Sequence, residues 1–380
     1  MIEYRFLDCV DIVGRAPAQF DGEKVYVSTG ALQTDHIDYG QTEIVTFENR
    51  PSRANLSAEV GDVLFAKMQA TAKTLVIDDK TQNHIYSTGF CAVRAKKEVL
   101  NGRCLYHIVS GEDFLRSKDQ NCSGATQKAI TNAGLAKIRI NLPPIDEQKS
   151  IASQLDTIDK AISQCRSILD VFDATVKSRF IEMFGDPTDN PYGWDKIPLG
   201  ERCDIVTGNT PSRADPENYG DFLEWIKSDN INTPSTFLTK AEEYLSEVGF
   251  AKCRYVESGS VLMTCIAGSI NCIGNVAVAN RRVAFNQQIN AIVPDEDEPL
   301  YIYWLMMLSK PFIQSTVNMA LKGILSKSKL AALAFPFPPI AKQREFVSFV
   351  EAIDKSKLAV TACMDKAKEL KAALMQEYFG

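Results

Sequence analysis

The sequence predicts an α+β fold: two mixed α/β units separated by two long antiparallel coiled-coil helices, related by a pseudo-two-fold internal duplication. Three observations predict it. The stretch "LPPIDEQ" at 142–148 returns as "FPPIAKQ" at 337–343. From Leu142 to Gly185, and again from Phe337 to Gly380, the chain aligns with itself for 44 residues without a gap, at a constant offset of 195. Twelve of these positions are identical, including Pro143, Pro144, Ile145, Gln148, Asp159, Lys160, Phe184 and Gly185 with their counterparts. An ungapped register with the same punctuation at both ends is the mark of an internal repeat. The predicted order is a first unit over 1–142, a central helix over 143–190, a second unit over 191–336 and a distal helix over 337–380.

The first unit contains short strand-like runs such as "GDVLFAK" (61–67) and "KTLVID" (73–78). The central helix follows from its spacing. Ile151, Leu155, Ile158, Ile162, Cys165, Leu169, Phe172 and Val176 recur in steps of four and three, a heptad seam. Pro143 and Pro144 fit only the start of such a helix, because an interior proline removes a hydrogen bond and clashes. "FGDPTDNP" (184–191) ends it. The second unit carries "GSVLMTCIAGS" (259–269) and echoes the first: "LDCVDIVG" (7–14) against "LGERCDIVTG" (199–208), and "GDVL" (61–64) against "GSVL" (259–262). Between these echoes the sequences differ, as expected of one scaffold with two surfaces. The distal helix repeats the seam at Phe346, Val350 and Ile353, breaks at Lys357, and resumes at Val360 and Met364.

A helix of about 39 residues is about 58 Å long. With one narrow apolar stripe it needs a partner, and the other copy is available in the same chain. The central helix delivers the chain to the second unit and the distal helix starts there, so pairing is antiparallel and Gly380 is expected to end close to Met1. The alternative is two independent helices, each docked on its own unit.

Composition narrows the function. The chain has 380 residues, is 45% hydrophobic and 24% charged, and carries a net charge of −6. Residues 1–142 balance 17 basic against 17 acidic side chains, and no segment is a basic nucleic-acid module. No run of about 18 apolar residues would cross a membrane, and "MIEYRFLDCVD" is neither a basic leader nor a signal core. Ten cysteines without a C-x-x-C pair suggest reduced thiols in a cytoplasmic protein. His36, His84 and His107 lack metal-ligand spacing, so no metal site is expected. There is no phosphate loop, no dinucleotide fingerprint and no H-E-x-x-H. "DNPYG" (189–193) approaches the D/N-P-P-Y of amino-group methyltransferases but lacks the second proline, and reads as a turn.

The motifs "GATQKAITNAGLAKIRINLPPIDEQKSIASQLDTIDKAI" (124–162), "FIEMFGDPTDNPYGWDKIPLGE" (180–201), "GNTPSR" (208–213), "WIKSDNI" (225–231), "FNQQI" (285–289) and "KGILSKSKLAALAFPFPPIAKQREFVSFVEAID" (322–354) carry a family likeness. Over essentially the whole chain, they resemble the DNA-specificity subunit of type I restriction–modification systems. The resemblance implies two target-recognition domains, each reading half of a bipartite double-stranded DNA site, and helices that set their spacing and dock partners. The partners implied are two methyltransferase subunits and, where present, restriction (nuclease and translocase) subunits. They would hold S-adenosylmethionine, ATP and Mg; this chain would hold no cofactor and carry no catalytic residue. A spacer of about 58 Å exceeds one DNA turn of about 34–36 Å.

Base edges are met by Arg, Lys, Asn and Gln. The candidates are Arg50, Arg53, Lys67, Gln69 and Lys73 in the first unit, and Arg213, Lys227, Asn230 and Gln287 in the second. Partner contact is expected on the polar helix faces, around Gln148, Asp159 and Lys160 and around Gln343, Asp354 and Lys355. The helix–helix seam is expected to use Ile151, Leu155, Ile158, Ile162, Leu169, Phe172, Val350, Ile353 and Met364. Two other classes stay open: a coiled-coil adaptor that reads no DNA, and a stand-alone DNA methyltransferase. The distal copy starts "KGILSKSK" where the central one has "GATQK", four residues shorter, so equivalent partner contact at the two ends does not follow.

Overall fold

The computed structural model describes residues 1–125, 127–318 and 323–380. Residue 126, in the "GATQK" stretch, and residues 319–322, the last of which opens "KGILSKSK", lie outside the described residues. The chain divides into two compact units, Met1–Ser167 with Val360–Gly380, and Ile168–Ala359. The division falls inside the long helices rather than at their ends, because the terminal turns of each helix supply core residues to a unit.

In the first unit a four-stranded antiparallel sheet runs in the order Val10–Ile12, Phe90–Ala95, Val63–Ala66, Thr74–Val76. Both of its faces are covered. Val63, Phe65 and Val93 pack toward the helix Gly102–Ser110, with Leu105 and Ile108, while Leu64, Ala66 and Ala92 face a second cluster around Leu32 and Tyr86. The period-two alternation of strand side chains thus serves two cores at once. A second sheet runs Glu43–Val45, Lys24–Val27, Ile85–Ser87, Ala54–Leu56, with its middle pair parallel at Tyr26↔Ile85. The strand Ile2–Arg5 pairs with Arg139–Leu142.

The second unit repeats the strand order of both four-stranded sheets. Its main sheet runs Cys203–Thr207, Ile289–Pro294, Val261–Thr264, Val276–Val278. Its second sheet runs Tyr244–Leu245, Tyr219–Ile226, Val283–Phe285, Tyr255–Val256, again with a parallel middle pair at Trp225↔Ala284. Lys196–Pro198 pairs with Ala334–Pro336. The short sequence echoes fall on matching strands. The glycines of "GDVL" and "GSVL", Gly61 and Gly259, both hold positive φ, +89° and +94°, which a side chain would resist.

The long helices are Ile145–Phe184 and Ile340–Phe379, 40 residues each. Gly185 closes the first with φ +80° and its N–H on the Ile181 carbonyl at 2.8 Å, a left-handed cap. "DNPYG" is a turn: the Asn190 side chain accepts from Trp194 N–H at 3.0 Å and donates to its carbonyl at 2.8 Å.

Within the first unit Asp159 pairs with Lys371 at 2.5 Å and Tyr378 reaches Gln154 at 3.5 Å, so the two helical segments run antiparallel. Ile151, Leu155, Ile162 and Cys165 are buried there, with Ile158 and Met364 half-buried. The Asn141 amide donates to the Gly380 carbonyl at 2.8 Å, which places Gly380 beside the first strand pair. Within the second unit Asp173 pairs with Lys357 at 2.5 Å and Arg179 with Glu345 at 3.0 Å, also antiparallel. Leu169, Phe172 and Ile353 are half-buried; Val176 and Val350 are buried. Val176, Phe180 and Phe184 join Phe346 and Val350 in the core of that unit. Within each unit the helical segments thus lie against each other and also contribute to its core. The break at Lys357 is an ion pair across the helices.

Each helix is anchored by a buried glutamine at its fourth residue. Gln148 is wholly buried: its oxygen accepts from Asn101 N–H at 2.8 Å, and its amide donates to the Val99 and Pro143 carbonyls at 3.0 Å. Gln343, also wholly buried, accepts from Glu298 N–H at 3.0 Å and donates to the Pro338 carbonyl at 3.0 Å and to Asp297 at 2.7 Å. Gln148→Ala leaves one buried and two half-buried main-chain groups without their partner and should cost about 2 kcal/mol. Urea unfolding followed by far-UV circular dichroism should show this; an unchanged midpoint would mean water replaces the amide.

Candidate nucleic-acid interface

In the second unit three of the quoted motifs meet at one place. "GNTPSR" is laid along "FNQQI": Gly208 N–H donates to the Ile289 carbonyl at 3.1 Å, Asn209 N–H to the Phe285 carbonyl at 3.1 Å, and Thr210 bonds Gln287. A side chain at Gly208 would meet the carbonyl oxygens of Asn286 and Phe285 at 2.3 and 2.4 Å, so only glycine permits this approach. Asn209 accepts from Arg254 N–H at 2.8 Å, and its carbonyl accepts from the Trp225 indole at 3.3 Å. The third motif, "WIKSDNI", brings Trp225 and Lys227.

Arg213 and Lys227 converge on one carboxylate. Arg213 bonds Glu243 at 2.8 Å and Lys227 bonds its other oxygen. Arg213 also lies over the rings of Tyr219 and Trp225, at 5.2 and 5.5 Å from their centroids, and Lys227 lies 5.8 Å from Trp225. The two cations, Lys227 first, hold the Glu243 carboxyl below its ordinary value. The result is an aromatic–cationic patch with Gln287 exposed beside it. Asn230 does not belong to it. It is buried, accepts from Lys227 N–H at 3.0 Å and donates to the Lys240 carbonyl at 3.0 Å, so its amide is consumed in holding a turn. Tyr219, Glu243 and Asn209 were not singled out by sequence. Nothing distinguishes Glu243 from Glu242 before folding.

In the first unit the candidates fall on two segments. Arg50 stacks on Phe47 at 3.8 Å and donates to the Phe47 carbonyl, while Arg53 is exposed and its carbonyl accepts from Thr88 N–H at 2.9 Å. Lys67, Gln69 and Lys73 lie on the turn between Val63–Ala66 and Thr74–Val76. Gln69 is exposed and donates to the Asp119 carbonyl at 3.3 Å; the Lys73 ammonium is turned onto the Thr29 carbonyl at 2.7 Å.

The expected partner-contact residues divide. Gln148 and Gln343 are corrected: both are wholly buried clamps and present nothing to a partner. Identity between the repeats reflects their shared anchoring task. Lys160 and Lys355 are exposed; Asp159 and Asp354 are half-buried. Asp354 lies 3.7 Å from Lys357, and burial pushes its carboxyl up.

Asp159 also faces a buried histidine outside the expected contact residues. His107 is wholly buried, with Nε2 at 2.9 Å from Asp156 and Nδ1 at 3.6 Å from Asp159. Asp156 is shared with Arg103. Burial first, then Lys371, holds the His107 imidazole below its ordinary value of 6.5.

A scaffold folded twice, with unlike charged and aromatic surfaces on its two copies, defines a tandem-domain α+β protein. The family model for the type I restriction modification DNA specificity domain matches residues 15–170 and 191–371. The chain belongs to that family. It is 21% identical over 361 residues to the specificity subunit of the type I restriction enzyme HindI of Haemophilus influenzae, covering 74% of this chain and 76% of that one. It is 25% identical over 299 residues to the EcoBI specificity subunit of Escherichia coli, covering 69% and 61%. Among solved structures, the type I restriction–modification S subunit from M. genitalium matches with TM-score 0.56 and 13% identity, over 100% of this chain and 96% of that one. A chain from a type I R-M system, solved for its complex assembly and conformational transition, matches with TM-score 0.55 and 22% identity, over 99% and 97%. These two likenesses establish the fold.

The His107 site makes stability depend on pH. A histidine whose folded pKa lies below the unfolded one favours the folded state while neutral, so its stabilisation is present above about pH 6.5 and is lost as pH falls below it. Thermal unfolding between pH 8 and 5.5 should show the loss, and His107→Gln should flatten it. Equal slopes would place the acid sensitivity elsewhere.

Proposed function

We propose that this chain is the DNA-specificity subunit of a type I restriction–modification complex. Each target-recognition domain, 1–142 and 191–336, reads one half of a bipartite gapped site and directs adenine methylation and cleavage by partner subunits. One observation carries the reading: two units share a strand order but differ in the residues set on it. The second presents Arg213, Lys227, Trp225 and Gln287; the first presents Arg50 on Phe47 and the Lys67–Lys73 turn. Arginine and lysine beside aromatic rings suit contact with base edges and phosphates.

The chain is non-catalytic in this reading. S-adenosylmethionine, ATP and Mg belong to the partners, of which two are methyltransferase subunits; a restriction subunit completes the cleaving complex. The exposed lysines Lys160 and Lys355 are retained as partner contacts. The long helices form one antiparallel coiled coil, and the repeated topology supports an internal duplication.

Net charge argues that DNA affinity is shared. Phosphate neutralisation supplies much of the affinity of DNA-binding proteins, and this chain carries −6. The isolated chain should bind DNA weakly, and methyltransferase subunits should tighten binding by about a hundredfold or more at one fixed salt concentration. Fluorescence anisotropy with a duplex bearing the methylated motif measures this. Equal affinity with and without partners would overturn the reading, as would a methylated motif that survives exchange of residues 1–142 for those of a relative with another target.

The duplication makes a further expectation. A fragment of residues 1–190 loses Val360–Gly380, which belongs to its compact unit. Residues 165–185 are the counterparts of that segment at the same offset, with Phe184 standing where Phe379 packs on the first core. A second copy can therefore supply the missing turns, and two-fold pairing is the commonest closed arrangement. The fragment should dimerise in light scattering, and with partners its methylated site should become a gapped palindrome. A monomer, or an unchanged asymmetric site, would refute this.

A further inference from the structure

The turn Lys67–Lys73, which carries three of the candidate DNA contacts, is held from beneath by a lysine. Lys118, in the helix Glu112–Gln120, is wholly buried. Its ammonium donates to the carbonyls of Met68 at 2.9 Å, Thr71 at 2.8 Å and Ala66 at 3.5 Å. The neighbouring Asp119 completes the hold, accepting from Ala70 N–H at 3.1 Å and lying 3.3 Å from the Lys118 ammonium. Ala70 is kept at φ +55°, a conformation alanine adopts only when its surroundings impose it.

The second unit builds the matching turn in the same way with a different side chain. Gln314, in the helix Lys310–Ser315, donates to the carbonyls of Ile270 at 2.7 Å and Ile273 at 3.0 Å. Lys310 adds a bond to the Asn271 carbonyl at 2.8 Å. These carbonyls lie in the segment joining Val261–Thr264 to Val276–Val278, the strands that match Val63–Ala66 and Thr74–Val76. That segment is tied to the "FNQQI" stretch, since Cys265 N–H donates to the Gln288 carbonyl at 2.8 Å.

Burying an ammonium costs free energy that an apolar side chain of the same length would not. What the ammonium supplies is shape: it gathers carbonyl oxygens inward, away from the outer face of the turn. A turn with its acceptors directed inward repels a polyanion less and keeps its side chains in one arrangement. We infer that Lys118 and Gln314 are positioning residues, each fixing one DNA-facing turn and each acting on its own half-site. This rests on the function proposed above.

The test uses the complete complex with its methyltransferase subunits. The wild-type motif is mapped by long-read sequencing, and methylation rates are measured on duplexes carrying every single base-pair change in that motif. Lys118→Met should reduce discrimination by about tenfold within one half-site and leave the other unchanged. Gln314→Met should do the converse. Lys118→Gln, which restores donors as Gln314 does in the other unit, should recover discrimination. Unchanged discrimination in both methionine variants, or relaxation of both half-sites together, would overturn the inference and leave a purely structural role. If Lys118→Met yields no folded complex, Lys118→Gln and Gln314→Met decide it. A wild-type complex whose discrimination persists after exchange of residues 1–142 would instead refute the proposed function.

Discussion

The architecture depends on a polar clamp repeated at the start of each long helix. Gln148 and Gln343 each place an amide where the chain leaves its last strand, turns through two prolines and becomes helical. Proline cannot donate there, so carbonyls near the helix start need a donor from elsewhere. The glutamine provides it and also accepts from the residue that caps the start of a neighbouring helix, through Asn101 N–H in one unit and Glu298 N–H in the other. One side chain therefore sets the direction of a 40-residue helix against its unit. In the second copy the clamp extends to Asp297, which is itself held by Arg202 at 2.8 Å. The extension shows how one joint tolerates different surroundings while keeping its geometry.

Much of this was legible before folding because it is periodic or repeated. The heptad spacing marked Leu155, Ile162 and Val350 as buried, and the two prolines and Gly185 marked the ends of the central helix. The glutamines were visible too, as identities between the copies, but a polar identity on a helix reads equally well as a surface for partners. Burial decides between those readings, and burial depends on residues about 45 positions away. Lys357 illustrates the same limit. By pattern it interrupts the seam; in space it finds Asp173, far along the chain.

The candidate interface was less legible, and the reason is again distance in sequence. Arg213, Lys227 and Glu243 are polar residues in three separate segments, and only the sheet brings them to one place. Asn230 looked as exposed as its neighbours, yet the turn it caps needs both ends of its amide. Lys118 is the extreme case. In "FLRSKDQ" it resembles a solvated helix lysine, and its one clue is its position four residues after the buried Phe114, on the same helical face.

These placements bear on how an acidic chain could serve DNA. Several of its cations are already committed: Arg213 and Lys227 to Glu243, Lys371 to Asp159, Lys357 to Asp173, and Lys118 and Lys73 to main-chain carbonyls. A cation tied to a carboxylate adds little to the long-range field that draws a polyanion in, but it is held in position for a short-range contact. Such a surface trades affinity for geometry. Discrimination between bases is a matter of geometry, since a wrong edge leaves a fixed donor unpaired, whereas attraction to phosphate can be contributed by any basic surface in the assembly. The commitment of cations and the acidic net charge are thus two aspects of one division of labour. In the function proposed above, this chain keeps the shape that distinguishes sequences, and the subunits assembled around it supply the non-specific attraction.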